Sequence, residues 1–286
     1  MVNVQLGEDS IYTDVSGFRQ LLRFYEECRK FSHTKIYIQL DNVLWLDGNL
    51  CAILGALLYR LKKEQNLEFC IDADQVARKC GILFHNNFIP IDQNLSSYKK
   101  QSCIPYKGFY SKQKDEFMDY LEHELLVHPA MPKFSELTKE KLIDDLTEVY
   151  ANIDKHAETD DPFFVCGQYY PRKEMLHFTI CDLGVGFFKK INERKPDSIK
   201  SCGDAILWAV KGNSTKPDAP GGSGLKNLHE YLDGNLGGLQ VYSGDAGWCS
   251  KTMKISTLFP TGITNLRNNF RGATINLEFS KKSLIS

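Results

Sequence analysis

An irregular, polar stretch near the middle of the chain most constrains how this protein can fold. Between about residues 89 and 133 the apolar periodicity is lost, except for one amphipathic segment at 112–127 that predicts a helix. Four prolines interrupt this stretch, at Pro90, Pro105, Pro129 and Pro132. A chain of 286 residues exceeds a typical domain of roughly 150 residues. We therefore predict one domain at 1–95, a linker with a connecting helix at 96–132, and a second domain at 133–286.

Charge and cysteine content limit the partners of the chain. Lys and Arg number 35 and Asp and Glu 36, a formal net charge of -1, so no overall field attracts nucleic acid or an anionic membrane. The nine cysteines are odd in number and never spaced as Cys-x-x-Cys, which favours a reduced chain. The N-terminus lacks the features of a secretion signal, and the longest apolar run, 52–59, is too short for a membrane span. We expect a cytoplasmic protein that binds neither nucleic acid nor membrane.

The first half alternates helix-like and strand-like segments. Apolar residues recur at helical spacing over 16–31, 50–63 and 72–80. Short strand-like runs lie between them, at 35–40 and 67–71. Alternation of this kind predicts a mostly parallel sheet with helical crossovers.

This first half resembles a STAS domain, the fold of anti-anti-sigma factors. The resemblance depends on Ile36-Tyr-Ile-Gln-Leu-Asp41, on the loop Leu46-Asp47-Gly48-Asn49 before a long helix, and on Ala77-Arg-Lys-Cys-Gly-Ile82. In that family the loop usually carries a phosphorylatable Ser or Thr, whereas this chain has Gly48 and Asn49, which have no hydroxyl. The resemblance implies a module that docks onto a protein partner. An ordinary βαβα unit is the alternative.

The second half begins with a predicted helix that carries three polar residues on one face. Glu148, Asn152 and His156 are four residues apart, so each is rotated by only about 40° from the one before. Polar side chains next to an apolar helix face need partners if they are buried. A magnesium-bound phosphate would supply such partners, and a solvated helix face is the alternative.

Two glycine-containing segments follow this helix. Strand-like runs at 162–170 and 175–180 lead into Asp182-Leu-Gly184-Val-Gly186, where a carboxylate and two glycines would allow backbone to approach a flat ligand. Farther along, Gly221-Gly222-Ser223-Gly224-Leu225 precedes a predicted helix at 226–232, and the free amides of a helix N-terminus bind anions. The segment is not a Walker A loop, because no Gly-Lys-Ser/Thr closes it.

The remaining segments predict the fold class. Strands are expected at 239–243, 249–256 and 270–279. We predict an α/β (α+β) protein in which the STAS-like module is followed by an α/β sandwich. Its sheet is expected to be mixed, largely antiparallel, and covered by helices on one face.

In order and spacing, the second half resembles the Bergerat-type ATP-binding domain of the GHKL superfamily, which includes gyrase, sensor histidine kinases and mismatch-repair ATPases. Residues 148–156 match its N-box, 182–186 its G1 box, 222–225 its G2 box and 272–274 its last strand. The resemblance implies that Asn152 ligates Mg²⁺, that Asp182 accepts a hydrogen bond from adenine, and that Glu148 is the general base. The implied ATP-contacting residues are Asn152, His156, Asp182, Gly184, Gly186, Gly222, Ser223, Gly224, Leu225 and Thr274, with Ala273 as the alternative to Thr274.

Two hypotheses for function follow. The first is a regulatory enzyme, either an ATPase or a Ser/Thr protein kinase similar to the anti-sigma branch, with a protein partner engaged by the first half and a homodimer compatible with the sequence. The second is a non-catalytic ATP-sensing adaptor whose lid, residues 187–220, becomes ordered on Mg-ATP and changes a protein surface. A nucleic-acid-dependent ATPase is a weaker third reading, because the charge is nearly neutral.

One motif points to a different chemistry. His123-Glu-Leu-Leu-Val-His128 resembles the phosphoacceptor box of sensor histidine kinases. Only 25 residues separate His123 from Glu148, which leaves no room for the second long helix of a dimerisation hairpin. We therefore favour a surface or interface role for His123.

Overall fold

The computed structural model of the chain describes residues 1–90, 102–129, 131, 134–195, 199–213, 223–250 and 262–281, without the side chains of 155 and 156. None of the helices in these ranges is long and apolar enough to cross a bilayer. The nine cysteines all lie in these ranges as free thiols.

The N-terminal half is built from short parallel strands and connecting helices. Its elements are β1 (Val2–Gln5), β2 (Asp9–Ile11), α1 (Val15–Cys28), β3 (Lys35–Gln39), β4 (Val43–Leu46), a 3-10 turn (Gly48–Leu50), α2 (Cys51–Gln65), β5 (Glu68–Ile71), α3 (Ala73–Lys79) and α4 (Ile82–His85). One sheet has the order β1-β3-β5 and a second pairs β2 with β4, all in parallel. The predicted parallel sheet is confirmed. Strands β1, β2 and β4 are three or four residues long and were not predicted from the sequence.

The C-terminal half is built on a five-stranded sheet. Its elements are β6 (Cys103–Phe109), α5 (Lys114–Tyr120), a π-helical turn (Leu121–Leu125), α6 (Glu136–His156), β7 (Phe163–Tyr170), β8 (Met175–Asp182), α7 (Gly186–Arg194), α8 (Cys202–Val210), α9 (Gly224–Gly234), β9 (Gly238–Cys249) and β10 (Gly262–Ser280). The strand order is β6-β7-β8-β10-β9, and each neighbouring pair is antiparallel. The mixed α/β class is therefore confirmed. The stretch 96–132, interpreted from sequence as a linker, contributes the edge strand β6 to this sheet.

Helices cover both faces of the five-stranded sheet. On one face, α5, α6, α8 and α9 pack over side chains such as Val165, Phe178 and Leu277 to form one apolar core. The other face packs against the N-terminal half, where Phe18 of α1 stacks on Tyr242 of β9 with ring centroids 4.3 Å apart. We expected helices on one face only. That expectation holds within the C-terminal half, but the second face is covered by the N-terminal half, because its apolar residues need a partner layer.

A row of buried polar residues joins the two halves. Thr179, Asn276 and Gln240 lie side by side on β8, β10 and β9 and are buried. The Asn49 side-chain amide donates a hydrogen bond to Thr179 Oγ1 (2.9 Å), and Gln240 Nε2 donates to the carbonyl of Thr13 (2.9 Å). The loop at 46–49, one of the segments on which the STAS resemblance depends, is thus packed onto the chain's own sheet.

Candidate functional site

Helix α6 is the element around which the candidate residues gather. It begins after Ser135, whose hydroxyl accepts a hydrogen bond from the Thr138 amide (3.2 Å). Glu148 and Asn152 are half-buried, as expected at the border of a helix face that packs into the core. His156 is the last residue of α6, and its side chain lies outside the described residues.

The turn after β8 contacts the C-terminal end of α6. The Val185 amide donates to the carbonyl of Ala157 (2.9 Å). A Cβ on Gly184 would lie 2.5 Å from Ala157 Cα and Cβ, so the turn can approach the helix this closely only with glycine. Asp182 Oδ1 accepts a hydrogen bond from the Gly184 amide (2.8 Å), which fixes the carboxylate in an Asx-type turn. The close approach that we predicted at Gly184 is therefore made to α6 itself.

Asp182 is a buried carboxyl group whose environment disfavours its charge. Its side chain lies in the core with 8% of the residue exposed. Burial raises the pKa of Asp182 to about 6, while the amides of Gly184 and Ala273 and the charge of Arg60 act in the opposite direction. The group is therefore mostly ionised at pH 7 and close to its titration range. Buried acids of this kind are frequent at functional sites.

The register of the sheet decides which residues share a face with Asp182. Ala273 of β10 pairs with Asp182, and Ser243 of β9 pairs with Ala273, so these three side chains point to the face covered by α5, α6, α8 and α9. Thr274 points to the other face, where its hydroxyl donates to Cys181 Sγ (3.3 Å). Thr274, which the resemblance implies as an ATP contact, therefore lies on the opposite face of the sheet from Asp182, whereas its alternative, Ala273, lies on the same face as Asp182.

Gly186 and Ser243 connect the Asp182 turn to the neighbouring strands. Gly186 has φ +77°, a left-handed conformation that favours glycine. Ser243 Oγ accepts from the Phe187 amide (3.3 Å) and donates to the carbonyl of Gly272 (2.7 Å). These bonds hold the start of α7 beside β9 and β10.

The N-terminus of α9 contacts the middle of α6. A Cβ on Gly224 would lie 2.8 Å from Glu148 Cβ and 2.9 Å from the carbonyl of Asp145, so α9 begins directly against α6. The hydroxyl of Ser223 donates to Glu148 Oε2 (3.4 Å) and does not cap its own helix. Leu225 is buried in the core, whereas Gly222 lies outside the described residues. Glu148, Ser223, Gly224 and Leu225 are thus brought together.

The arrangement could hold a metal only with help from a ligand. Within the described ranges, no group of three or more His, Cys, Asp or Glu side chains is positioned to bind a metal ion. Mg²⁺ often takes one or two protein oxygens and fills its remaining positions with water and phosphate oxygens. The Asn152 side chain can supply one such oxygen.

No family model, curated protein or solved structure matches this chain.

Two contributors to the site were missed from the sequence. Asn227 of α9 donates to Asp145 Oδ1 (2.9 Å) and ties the two helices together. Burial raises the pKa of Asp145, and this hydrogen bond acts in the opposite direction. Asp145 lies one helical turn before Glu148, and Asn227 lies one helical turn after Gly224. This spacing places each of them on the same helix face as a predicted site residue, which could have identified them from the sequence.

Proposed function

We propose that the C-terminal half binds Mg-ATP and acts as a regulatory ATPase or as a kinase that transfers the γ-phosphate to a protein Ser or Thr. One observation supports this most: α6 contacts the Asp182 turn at its C-terminal end and the N-terminus of α9 at Glu148. Ala157 and Glu148 are nine residues apart, or about 13 Å along a helix. An elongated ligand with an amino group at one end and an anion at the other suits this spacing.

The Asp182 end suits the base of the nucleotide. An ionised carboxylate accepts hydrogen bonds and donates none, so it favours the exocyclic amino group of adenine over a carbonyl at the same position. The bond from the Gly184 amide to Oδ1 fixes the orientation of this carboxylate. The row with Ala273 and Ser243 forms a small, flat strip beside it.

The α9 end suits the phosphates. The first amides of a helix have no intrahelical partner, and together with the helix dipole they favour an anion. When bound, Mg-ATP supplies the phosphoryl group and the charge neutralisation that phosphoryl transfer needs. Glu148 is half-buried beside this end and would accept the proton of a water or hydroxyl nucleophile.

An ATP-sensing adaptor is the second candidate, and the position of Glu148 favours it. A carboxylate at a helix N-terminus stabilises that helix by itself, and Glu148 already accepts a hydrogen bond from Ser223. In this case Glu148 fixes α9, and Mg-ATP changes a protein surface without turnover.

Calorimetric titration tests binding. We expect wild type to bind Mg-ATP, and we expect Mg-ITP, which has a carbonyl in place of the amino group, to bind at least about tenfold more weakly. Asp182→Asn should remove most of the discrimination, while Asp144→Asn, an exposed acid on the same α6, should retain it. No heat with Mg-ATP from a protein that melts cooperatively would refute the proposal.

Phosphate release separates the enzyme from the adaptor. The regulatory enzyme predicts turnover in wild type that falls by roughly a hundredfold or more in Glu148→Ala, with Mg-ATP affinity retained. Equal turnover in both proteins would remove Glu148 as the base. Binding without turnover in wild type, with or without added protein substrate, would favour the adaptor.

A further inference from the structure

Arg60 is a charged residue buried between the two halves of the molecule. It lies on α2 in the N-terminal half, with 4% of the residue exposed, although Arg is almost never fully buried without partners. Its Nη2 donates to the carbonyl of Leu183 (2.8 Å) and its Nη1 to the carbonyl of Arg271 (2.6 Å). Both acceptors belong to the C-terminal half.

The two carbonyls belong to the backbone segments that carry Asp182. Leu183 lies between Asp182 and Gly184, inside the turn. Arg271 precedes Gly272, which has φ +135° and on which a Cβ would lie 2.2 Å from the carbonyl of Asp182. One planar guanidinium therefore holds the turn after β8 and the adjoining part of β10 at a fixed separation. A lysine ammonium has no such fork.

We propose that Arg60 is a positioning residue of the candidate nucleotide site, through which docking of the N-terminal half sets the geometry of the Asp182 turn. The inference deepens the proposed function and rests on it for the nucleotide. Through this contact, a partner that binds the N-terminal half and shifts α2 changes the adenine end of the site. The N-terminal half then regulates the site from behind the sheet, without touching the ligand.

The charges around Asp182 make the positioning measurable. Arg60 of α2 is the positively charged side chain that lowers the pKa of Asp182 against the effect of burial. Near Arg60, Glu64 of α2 lies 3.8 Å from its Nε and 3.5 Å from Arg271 Nη1 of β10. On β8, burial raises the pKa of Cys181 to about 12, so this thiol stays neutral. On the α6 side, the residue that contacts the Asp182 turn is Ala157, whose side chain carries no charge.

Three variants separate positioning from simple packing. Arg60→Met removes the fork and the charge, and Arg60→Lys keeps the charge without the fork. Lys63→Met is the matched control, because Lys63 lies on the same helix and forms an ion pair with Asp161 across the same two halves. In nucleotide-free protein, the pKa of Asp182 is measured by carboxyl ¹³C NMR and the opening of the turn by hydrogen exchange at the Gly184 amide. Calorimetry then measures Mg-ATP affinity.

We expect Arg60→Met to raise the pKa of Asp182, to speed exchange at Gly184, and to weaken Mg-ATP binding by about tenfold or more. Arg60→Lys should also speed exchange at Gly184 and weaken Mg-ATP binding, with a smaller change in the pKa of Asp182. This variant supplies the test if Arg60→Met does not fold. Lys63→Met should leave all three readouts unchanged. A folded Arg60→Met with wild-type exchange and an unchanged pKa of Asp182 overturns the proposal. If wild type binds no nucleotide but both nucleotide-free readouts change, the proposed function fails and the positioning of the turn by Arg60 stands.

Discussion

At the scale of single residues, Asp182 combines a stability cost with a candidate function. Its pKa is raised from 3.8 to about 6, which corresponds to about 3 kcal/mol of unfavourable free energy when the group is ionised in the folded state. An amide of the same shape has no charge to bury and can still accept from the Gly184 amide. We predict that Asp182→Asn increases the free energy of unfolding at pH 7 by up to about 3 kcal/mol and removes most of the adenine discrimination. Urea unfolding measures the first effect.

The pH dependence of the stability difference between wild type and Asp182→Asn tests whether the charge of Asp182 causes it. Because the pKa of Asp182 is higher in the folded protein, the folded state holds a proton between about pH 4 and 6 that the unfolded state has lost. The contribution of Asp182 to stability is therefore favourable at low pH and is lost as the pH rises through about 6. Wild type and Asp182→Asn should have similar stabilities near pH 4 and diverge toward pH 7. A stability difference that stays constant between pH 4 and 7 would contradict the raised pKa of Asp182.

The sequence indicated which residues to consider better than it indicated their orientations. Asp182 with Gly184, and Glu148 with Gly224, were chosen for their order and spacing along the chain, and the structure places the members of each pair next to each other. The sequence could not decide between Thr274 and Ala273 because successive residues of a strand point in opposite directions, and a shift of one residue reverses the side. Arg60 offered a signal that went unused: it is an arginine within the strongly apolar helix α2.

At the scale of secondary structure elements, the start of α9 shows how tightly one helix fits another. A methyl group on Gly224 would lie within 3.0 Å of Glu148 and of the Asp145 carbonyl, whereas Gly234 at the end of the same helix has nothing within 4 Å. We predict that Gly234→Ala stabilises the protein by about 0.5–1 kcal/mol. Gly224→Ala should destabilise it by about 1–3 kcal/mol and weaken Mg-ATP binding.

Thermal unfolding of these two variants, with calorimetry on each, tests the α6–α9 contact. Both carry the same substitution in α9, so intrinsic helix propensity favours alanine in each case. If the two substitutions change the stability in opposite directions, the difference is therefore due to the contact of Gly224 with α6. Stabilisation by both substitutions would show that α9 is free to move away from Glu148.

Local patterns predicted most elements but not the full sheet. Helices α1, α2, α6 and α9 and strands β7 and β8 were expected because their apolar residues follow one period over a long segment. Strand β6 was missed because Pro105 falls within it, and proline argues against a strand. Among the described strands, β6 lies at the edge of the sheet and pairs with β7, which resolves this conflict, because an edge strand tolerates proline.

At the scale of the whole molecule, the N-terminal half forms the second layer over the sheet. Its core is continuous with residues of the sheet such as Phe164, Tyr242 and Phe270. Such long-range packing could not be predicted from the sequence, because apolar strands do not reveal which layer covers them. The polar row at Thr179, Asn276 and Gln240 marks where the N-terminal half contacts the sheet. Each of these buried residues finds a polar partner.

The shared core and the polar row predict that the two halves unfold together. Asn49 donates to Thr179 and accepts from Tyr170 (3.1 Å) and Thr13 (3.0 Å), so Asn49→Ala leaves buried polar groups unsatisfied and should lower stability by about 1–3 kcal/mol. Two single-tryptophan proteins report the transition: Trp45 lies beside the loop, with its indole donating to Asp47 (2.8 Å), and Trp248 is buried in the sheet core. Within each single-tryptophan protein, Asn49→Ala should lower the urea midpoint, and the fall should be equal in both, while the exposed Asn42→Ala leaves both midpoints unchanged. A fall at Trp45 alone would mean that the N-terminal half undocks separately, because only coupled halves transmit the lost hydrogen bonds to Trp248.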